Sequence, residues 1–168
     1  VHRRGQHSNL IRSGTLHLAA GPTAPEVPAA YNDPDLRAER VRITLESVDR
    51  EAFDRAVSAI VNAKKVYIIG TRASSSLATF FGYYMSLIMD NVAVVHDTAV
   101  SEVYEQLFRV GPGDVVIGIS FPRYSSRTVA AMKYAKSRGA ETIGITDCEA
   151  SPLYGISNIN LYARSDMV

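Results

Sequence analysis

The feature that most constrains the fold is an alternation of short apolar runs with segments of helical periodicity. The apolar runs lie at 66–70, 92–95, 115–119, 141–146 and 158–162. Most of them have Val and Ile at consecutive positions, as expected of strands buried on both faces of a parallel sheet. Strands that alternate with helices predict an α/β fold, in which right-handed crossovers place helices on both sides of a five-stranded parallel sheet.

The segments between these runs have apolar residues at helical spacing. In the clearest of them Asp49 is placed as an N-cap, and one apolar face follows it, formed by Phe53, Ala56, Val57, Ile60 and Val61. The segment after Ser76 is apolar on more than one face. We therefore expect a helix covered by the sheet on one side and by another subunit on the other. Ser151 and Pro152 predict the start of a short helix before the last strand.

Net charge and cysteine content narrow the function classes. The formal net charge of +1 does not indicate a broad nucleic-acid-binding surface. Cys148 is the single cysteine, so the chain has no internal disulfide and no cysteine-ligated metal cluster. No apolar stretch of the sequence is long enough to cross a membrane. We therefore expect a cytoplasmic protein with no membrane contact, no metal and no cofactor.

The first 34 residues have a different character from the rest. Arg3, Arg4 and Arg12 are scattered among polar residues, and prolines follow at 22, 25, 28 and 34. Such a composition buries little surface. We interpret residues 1–34 as a disordered tail, a linker or sequence introduced by cloning, with a basic arm that touches nucleic acid as the sharper alternative. Residues 35–168 are then the domain.

Hydroxyl-rich loops follow two of the predicted strands. The first loop, 71–76, reads TRASSS, and the second, 120–128, reads SFPRYSSRT. The carboxyl ends of parallel strands meet at one edge of the sheet, where ligands bind in this class of fold. Each loop also leads into a helix, whose N-terminal N–H groups attract anions. The sequence therefore predicts one phosphate site built from both loops.

The candidate ligand-binding residues come from these loops and the strand end before the first. They are Gly70, Thr71, Ser74, Ser75, Ser76, Ser120, Arg123, Ser125, Ser126 and Thr128. Local roles compete with ligand binding, because Ser74 and Ser125 are also placed to cap a helix and Thr128 to close a helical turn. Arg123 could pair with phosphate bidentately or remain solvated. Tyr124 could stack on a sugar, but packing on the sheet edge is the preferred interpretation.

Nucleotide-binding motifs are absent from the loops. The segment 70–75 lacks the glycines of G-x-G-x-x-G, and the chain has no G-x-x-x-x-G-K-[ST]. A dinucleotide and a P-loop nucleotide are therefore disfavoured. The ligand that fits is small, with one phosphate and a polar body such as that of a sugar.

Three phrases of the chain carry a family resemblance. GTRASSSLA, GDVVIGISFPRYSSRTVAAMKYAKSRGAETIGITD and SPL resemble the sugar isomerase (SIS) domain, most closely the version in RpiR-type bacterial transcription regulators. The resemblance covers residues 39–168. It implies a flavodoxin-like three-layer αβα sandwich that forms a homodimer and binds a sugar phosphate through the two serine loops. By position, the family's ligand hydroxyls fall on Ser74, with Ser75 and Ser76 adjacent, and on Ser120, Ser125 and Thr128.

The chain departs from the family pattern in its second loop and at both ends. The wider family has a compact S-x-S-G-x-T loop, whereas this loop is longer and has Ser126 in place of the glycine. The regulators have an N-terminal helix-turn-helix domain, which residues 1–34 cannot form, and further helices after the fifth strand. We therefore expect a truncated effector domain, with DNA contacted only through a domain not present in this chain.

The preferred function is that of a non-catalytic, phosphosugar-sensing domain of a transcription regulator. The alternative is a phosphosugar aldose–ketose isomerase, with Glu102 or His96 as the base that moves a proton between adjacent carbons. A third interpretation is a dimerisation module with a vestigial pocket. Ordinary structural roles are the preferred interpretation of both residues: Glu102 as a solvent-facing carboxylate and His96 as a hydrogen-bonded strand-end residue. We therefore assign no catalytic residue.

Overall fold

A computed structural model of the chain describes residues 34–96 and 100–165. The elements in chain order are α1 (Pro34–Ser47), α2 (Arg50–Val61), β1 (Val66–Gly70), α3 (Ala73–Ser86), β2 (Val92–Val95), α4 (Val100–Gln106), β3 (Val115–Ile119), α5 (Ser126–Ser137), β4 (Glu141–Thr146) and β5 (Ile159–Tyr162). The interpretation of residues 1–34 falls almost entirely on residues outside the described ranges and stays a prediction.

The five strands form one parallel sheet in the order β2-β1-β3-β4-β5. The chain runs outward from β1 to β2 and then crosses back to β3 on the other side of β1. This reversal is a topological switch point, and ligands of open parallel sheets bind beside it, beyond the carboxyl ends of the strands. The predicted α/β fold with a five-stranded parallel, flavodoxin-like sheet is confirmed.

Two layers of helices cover the sheet, because alternate strand residues point to opposite faces. On one face Tyr67 and Ile69 of β1 pack with buried residues of α4 and α5, including Val103 and Met132. On the other face the core contains Val66, Ile68, Val115 and Ile117 of the central strands, Ala56 of α2 and Ala78 of α3. The strands β1 and β3 are buried at every position, which explains their continuous apolar sequence.

Helix ends show where local sequence rules succeed and where they fail. Asp49 caps α2 as predicted, since its Oδ1 accepts a hydrogen bond from the Ala52 N–H at 3.1 Å. The helix predicted from Ser151 is wrong, because residues 151–156 form turns. There the Ser151 hydroxyl lies 2.7 Å from Thr146 Oγ1 at the end of β4, so the chain stays close to the sheet. Within the described ranges, no helix has the length and apolar character needed to span a bilayer.

Candidate functional site

The two hydroxyl-rich loops meet at the switch point of the sheet. They follow β1 and β3, which are adjacent and aligned so that Gly70 pairs with Ile119. Between the loops lies a cavity of about 160 Å³ that is open on one side. Its lining residues are Thr71, Arg72, Ala73, Ser74, Ser120, Phe121, Pro122, Arg123 and Ser125. Both loops therefore contribute to one site, at the edge where the topology places ligands.

The first loop is a tight turn that brings the start of α3 over the end of β1. The Ser74 N–H donates to the Thr71 carbonyl at 3.2 Å. Gly70 is required at the strand end, because a Cβ there would collide with the backbone carbonyl of Ser74. Ser74 is nearly buried, and no described residue forms a hydrogen bond with its hydroxyl. The alternative role of Ser74 as an N-cap is wrong, since the cap position of α3 is Arg72.

The second loop is shaped by the buried Ser120. Its hydroxyl accepts from the Ser125 N–H at 3.2 Å, which closes the loop, while its own N–H donates to the Ile145 carbonyl at 3.1 Å. Ser125 occupies the N-cap position of α5, but its side chain makes no capping hydrogen bond. The predicted capping contact is therefore wrong, and Ser125 is one of the residues that line the cavity.

Some of the predicted binding residues lie outside the cavity lining. Thr128 is fully buried, and its Oγ1 lies 3.2 Å from Thr71 Oγ1, so this pair joins the two loops. The hydroxyl of Ser75 donates to the Arg72 carbonyl at 2.6 Å. Ser76 and Ser126 are exposed on their helices and do not line the cavity. Of the predicted set, the cavity brings together Thr71, Ser74, Ser120, Arg123 and Ser125.

Arg72, Ala73, Phe121 and Pro122 line the cavity and were not predicted. Arg72 is the most informative of them, because it has a positive φ of 56° and Arg123 in the other loop has a φ of 64°. The signal in the sequence was its position within the 71–76 loop, where it is the one charged residue.

Tyr124 ties the second loop to the end of β4. Its Oη donates to Asp147 Oδ1 at 2.8 Å, and Thr146 Oγ1 donates to the same oxygen at 3.1 Å. Burial and the hydrogen bond to Asp147 raise the pKa of the Tyr124 phenol well above its usual value. Burial alone would raise the pKa of Asp147, but hydrogen bonds from Tyr124, the backbone and Thr146 outweigh it and lower that pKa. Tyr124 does not line the cavity, in agreement with a packing role.

The two candidate bases do not line the cavity. Glu102 is half-buried on α4, and His96 is exposed after β2. The backbone of His96 is held by Gln106, whose Oε1 accepts from the His96 N–H at 3.0 Å and whose Nε2 donates to the His96 carbonyl at 2.9 Å. Among residues 34–96 and 100–165, no group of three His, Cys, Asp or Glu side chains could hold a metal ion.

Comparisons with known proteins relate the chain to SIS domains of regulators and isomerases. The family model of the SIS domain matches residues 59–167. An HTH-type transcriptional regulator of Caldanaerobacter subterraneus is 30% identical over 126 residues, which are 73% of this chain and 43% of that protein. A probable phosphoheptose isomerase of Thermoplasma acidophilum is 27% identical over 147 residues, 76% of this chain and 80% of that protein. The chain thus spans less than half the length of the curated regulator that it matches.

Two solved structures share the fold. The sugar isomerase domain of an RpiR transcription factor from Sphaerobacter thermophilus has a TM-score of 0.70 and 31% identity, covering 76% of this chain and 71% of that one. The Vibrio vulnificus NanR protein, solved in complex with ManNAc-6P, has a TM-score of 0.69 and 22% identity, covering 78% of this chain and 50% of that one.

Proposed function

The chain belongs to the SIS domain family, and from this premise we propose that it contains the phosphosugar-sensing domain of a transcription regulator. The observation that carries the proposal is that the two serine loops line one shared cavity at the switch point of the sheet. The comparisons support it, because the matched relatives include an HTH-type regulator and an RpiR transcription factor domain.

The cavity suits a phosphate in both geometry and charge. Two helices, α3 of 14 residues and α5 of 12 residues, begin beside it, so their positive dipole ends favour an anion there. The hydroxyls of Ser74 and Ser125 supply further donors from the two loops. We place the phosphate between the two helix starts, with the sugar toward the open side of the cavity.

We prefer a sensor to an enzyme because the described cavity lining has no side chain that could act as the base of an isomerase. Isomerisation between an aldose and a ketose needs a base beside the reacting carbon atoms. Among the described lining residues there is no Asp, Glu or His. The alternative, a phosphosugar isomerase, is supported by the match to a probable phosphoheptose isomerase, of which the chain covers 80%.

The whole protein would bind DNA through a separate domain. The regulator from Caldanaerobacter subterraneus is named for a helix-turn-helix, and 43% of its length matches this chain. In this proposal the sugar phosphate changes the geometry of the sensing domain, and the DNA-binding domain responds to that change in the cytoplasm.

We propose that the chain forms a homodimer through the exposed face of α3. Large apolar side chains form a stripe along the side of this helix that faces away from the sheet and along the turn that follows it. They are 48–77% exposed: Leu77, Phe80, Tyr84, Leu87 and Ile88. A stripe of this kind marks an interaction surface. A second copy of the chain would cover it symmetrically, as the resemblance implies.

The experiment is a thermal-shift titration of the chain with a panel of sugar phosphates that includes N-acetylmannosamine 6-phosphate, glucose 6-phosphate and ribose 5-phosphate. A ligand at a hundred times its Kd stabilises a protein by about 2.7 kcal/mol, which raises Tm by several degrees. We expect Ser74→Ala and Ser125→Ala to reduce the shift. Ser137→Ala, at the far end of α5, is the matched control, and it should leave the shift unchanged.

Three outcomes would contradict the proposal. The binding site is wrong if no sugar phosphate shifts Tm, or if the two loop variants shift as much as the control. Aldose–ketose turnover that disappears with Glu102→Gln would show that the chain is an enzyme.

A further inference from the structure

Arg72 and Arg123 both have a sign of φ that residues other than glycine rarely adopt. Of the described residues other than glycine, these two have a positive φ, 56° at Arg72 and 64° at Arg123. At Arg72 the pair φ 56° and ψ −127° belongs to the second residue of a type II′ turn, which the Ser74 N–H closes onto the Thr71 carbonyl. Glycine is the residue that adopts this conformation without strain. A strained residue at such a position points to a function of its side chain.

Both arginines line the same cavity from opposite sides. Arg72 follows β1, Arg123 follows β3, and the two strands are neighbours. Both residues are exposed, and neither forms an ion pair with a carboxylate among the described residues. The described part of the lining has no acidic residue that would neutralise them.

The charge of the site exceeds that of one phosphate. Two guanidinium groups and two helix N-termini, at about half a charge each, provide roughly three positive charges. A phosphate monoester carries about −1.5 to −2 near neutral pH. Charge complementarity therefore favours a ligand with an additional negative group.

Resting on the proposed function, we propose that Arg72 and Arg123 bind a second anionic group of the effector. The ligand class is a sugar phosphate that also carries a carboxylate or a second phosphate. The planar guanidinium fork suits both groups, because it can donate two parallel hydrogen bonds to either of them. The hydroxyls and helix starts then hold the first phosphate, and the arginines select for the second charge.

The test compares matched ligands by isothermal titration calorimetry with the 168-residue chain. One pair is 6-phosphogluconate against glucose 6-phosphate, and the other is fructose 1,6-bisphosphate against fructose 6-phosphate. We expect one of the doubly anionic probes to bind at least about tenfold more tightly than its partner, since charge-assisted hydrogen bonds are strong. Which pair shows the preference identifies the second group as carboxylate or phosphate.

Variants test whether the two arginines cause the preference for a doubly anionic ligand. Arg72→Gln and Arg123→Gln keep a long polar side chain, and each should lower affinity for the preferred probe about fivefold or more while changing the monophosphate less than about twofold. Arg138→Gln removes the same charge from the far end of α5 and should change neither affinity. Arg72→Gly should raise Tm by relieving strain and still lose the preference, which excludes misfolding as the cause.

Each outcome decides between the two proposals. Equal affinities within both ligand pairs, or a preference that persists in the glutamine variants, would overturn the role of the arginines while leaving the sensor function standing. If neither the monophosphates nor the doubly anionic probes bind, both proposals fail.

Discussion

Thr71 and Thr128 form a contact between the two loops that line the cavity. Their Oγ1 atoms lie 3.2 Å apart, and both side chains are almost completely buried. One residue follows β1 and the other lies in the first turn of α5, so this hydrogen bond fixes the spacing of the loops. A buried hydroxyl that loses its partner destabilises the folded state.

We predict that Thr128→Val lowers the free energy of unfolding by about 1–2 kcal/mol, because valine keeps the shape and leaves the Thr71 hydroxyl without its partner. Thr71→Val should have a similar effect. The double variant should lose less free energy of unfolding than the two single variants lose together, since it leaves no polar group without a partner. Urea denaturation measures all three values, and strictly additive effects would show that the two hydroxyls do not interact.

The carboxylate of Asp147 makes part of the stability depend on pH. Hydrogen bonds from Tyr124 and Thr146 hold its pKa below the ordinary value. The ionised form is therefore favoured in the folded state, and its stabilisation is complete above the ordinary aspartate pKa of about 3.9. The stabilisation is lost as pH falls through that value towards the lower folded pKa.

We expect the stability difference between the wild type and Asp147→Asn to be constant from about pH 7 to 5 and to decrease below about pH 4. Tyr124→Phe removes one of the hydrogen bonds to the carboxylate and keeps the ring, so its own difference from the wild type should decrease over the same range. Denaturation midpoints at a series of pH values provide the measurement. A difference that stays constant down to pH 3 would contradict the assignment.

At the scale of elements, α3 is held against the sheet by small residues. Ala78 and Gly82 are buried, and a Cβ at Gly82 would collide with Val94 Cγ2 of β2. The helix can therefore approach β1 and β2 closely, which places its N-terminus beside the cavity. Its large side chains are left for the opposite face.

We predict that Gly82→Ala lowers the free energy of unfolding by about 1–3 kcal/mol, because the added methyl group over-packs the contact between α3 and β2. Val94→Ala in the same chain should recover part of the loss by providing space. Gly155→Ala is the matched control, since a Cβ there meets no atom within 4 Å. Equal stability of Gly82→Ala and the control in guanidinium denaturation would contradict this account of the packing.

At the scale of the whole molecule, we propose that the exposed apolar stripe of α3 is the interface of a homodimer. Phe80 is 65% exposed and Tyr84 is 54% exposed, although the opposite side of the same helix packs on the sheet. The sequence led us to expect a helix covered on two sides. In the single chain, the sheet covers one side and the other is open to solvent.

We expect the chain to have twice its monomer mass of 18.3 kDa in size-exclusion chromatography with light scattering. Phe80→Glu places a charge in the proposed interface and should yield monomers, because burying an unpaired carboxylate is costly. Phe108→Glu makes the same change at a residue that is 71% exposed and lies outside α3, so it should remain dimeric. A wild-type monomer at micromolar concentration would refute the assignment.

Apart from the short helix expected at Ser151, the elements of the fold and the meeting of the two serine loops at one sheet edge could be predicted from the sequence. Continuous apolar runs identify buried strands, and turn residues mark where they end, because both signals are local. The serine-rich phrase after Ile119 and its counterpart after Gly70 were enough to identify the SIS family and to place both loops at one sheet edge.

Only the tertiary structure decided which side chains of these loops line the cavity. Ser74, Ser75 and Ser76 are adjacent in sequence, but successive helical residues differ by about 100° in direction, and only Ser74 lies in the cavity lining. Thr128 forms a hydrogen bond with Thr71, which is 57 residues away in the sequence. Arg72 lines the same cavity as the second loop because the pairing of β1 with β3 brings the two loops together. The local sequence pattern determines whether a residue lies in a helix, a strand or a turn. The direction and the partners of its side chain depend on contacts between distant parts of the chain.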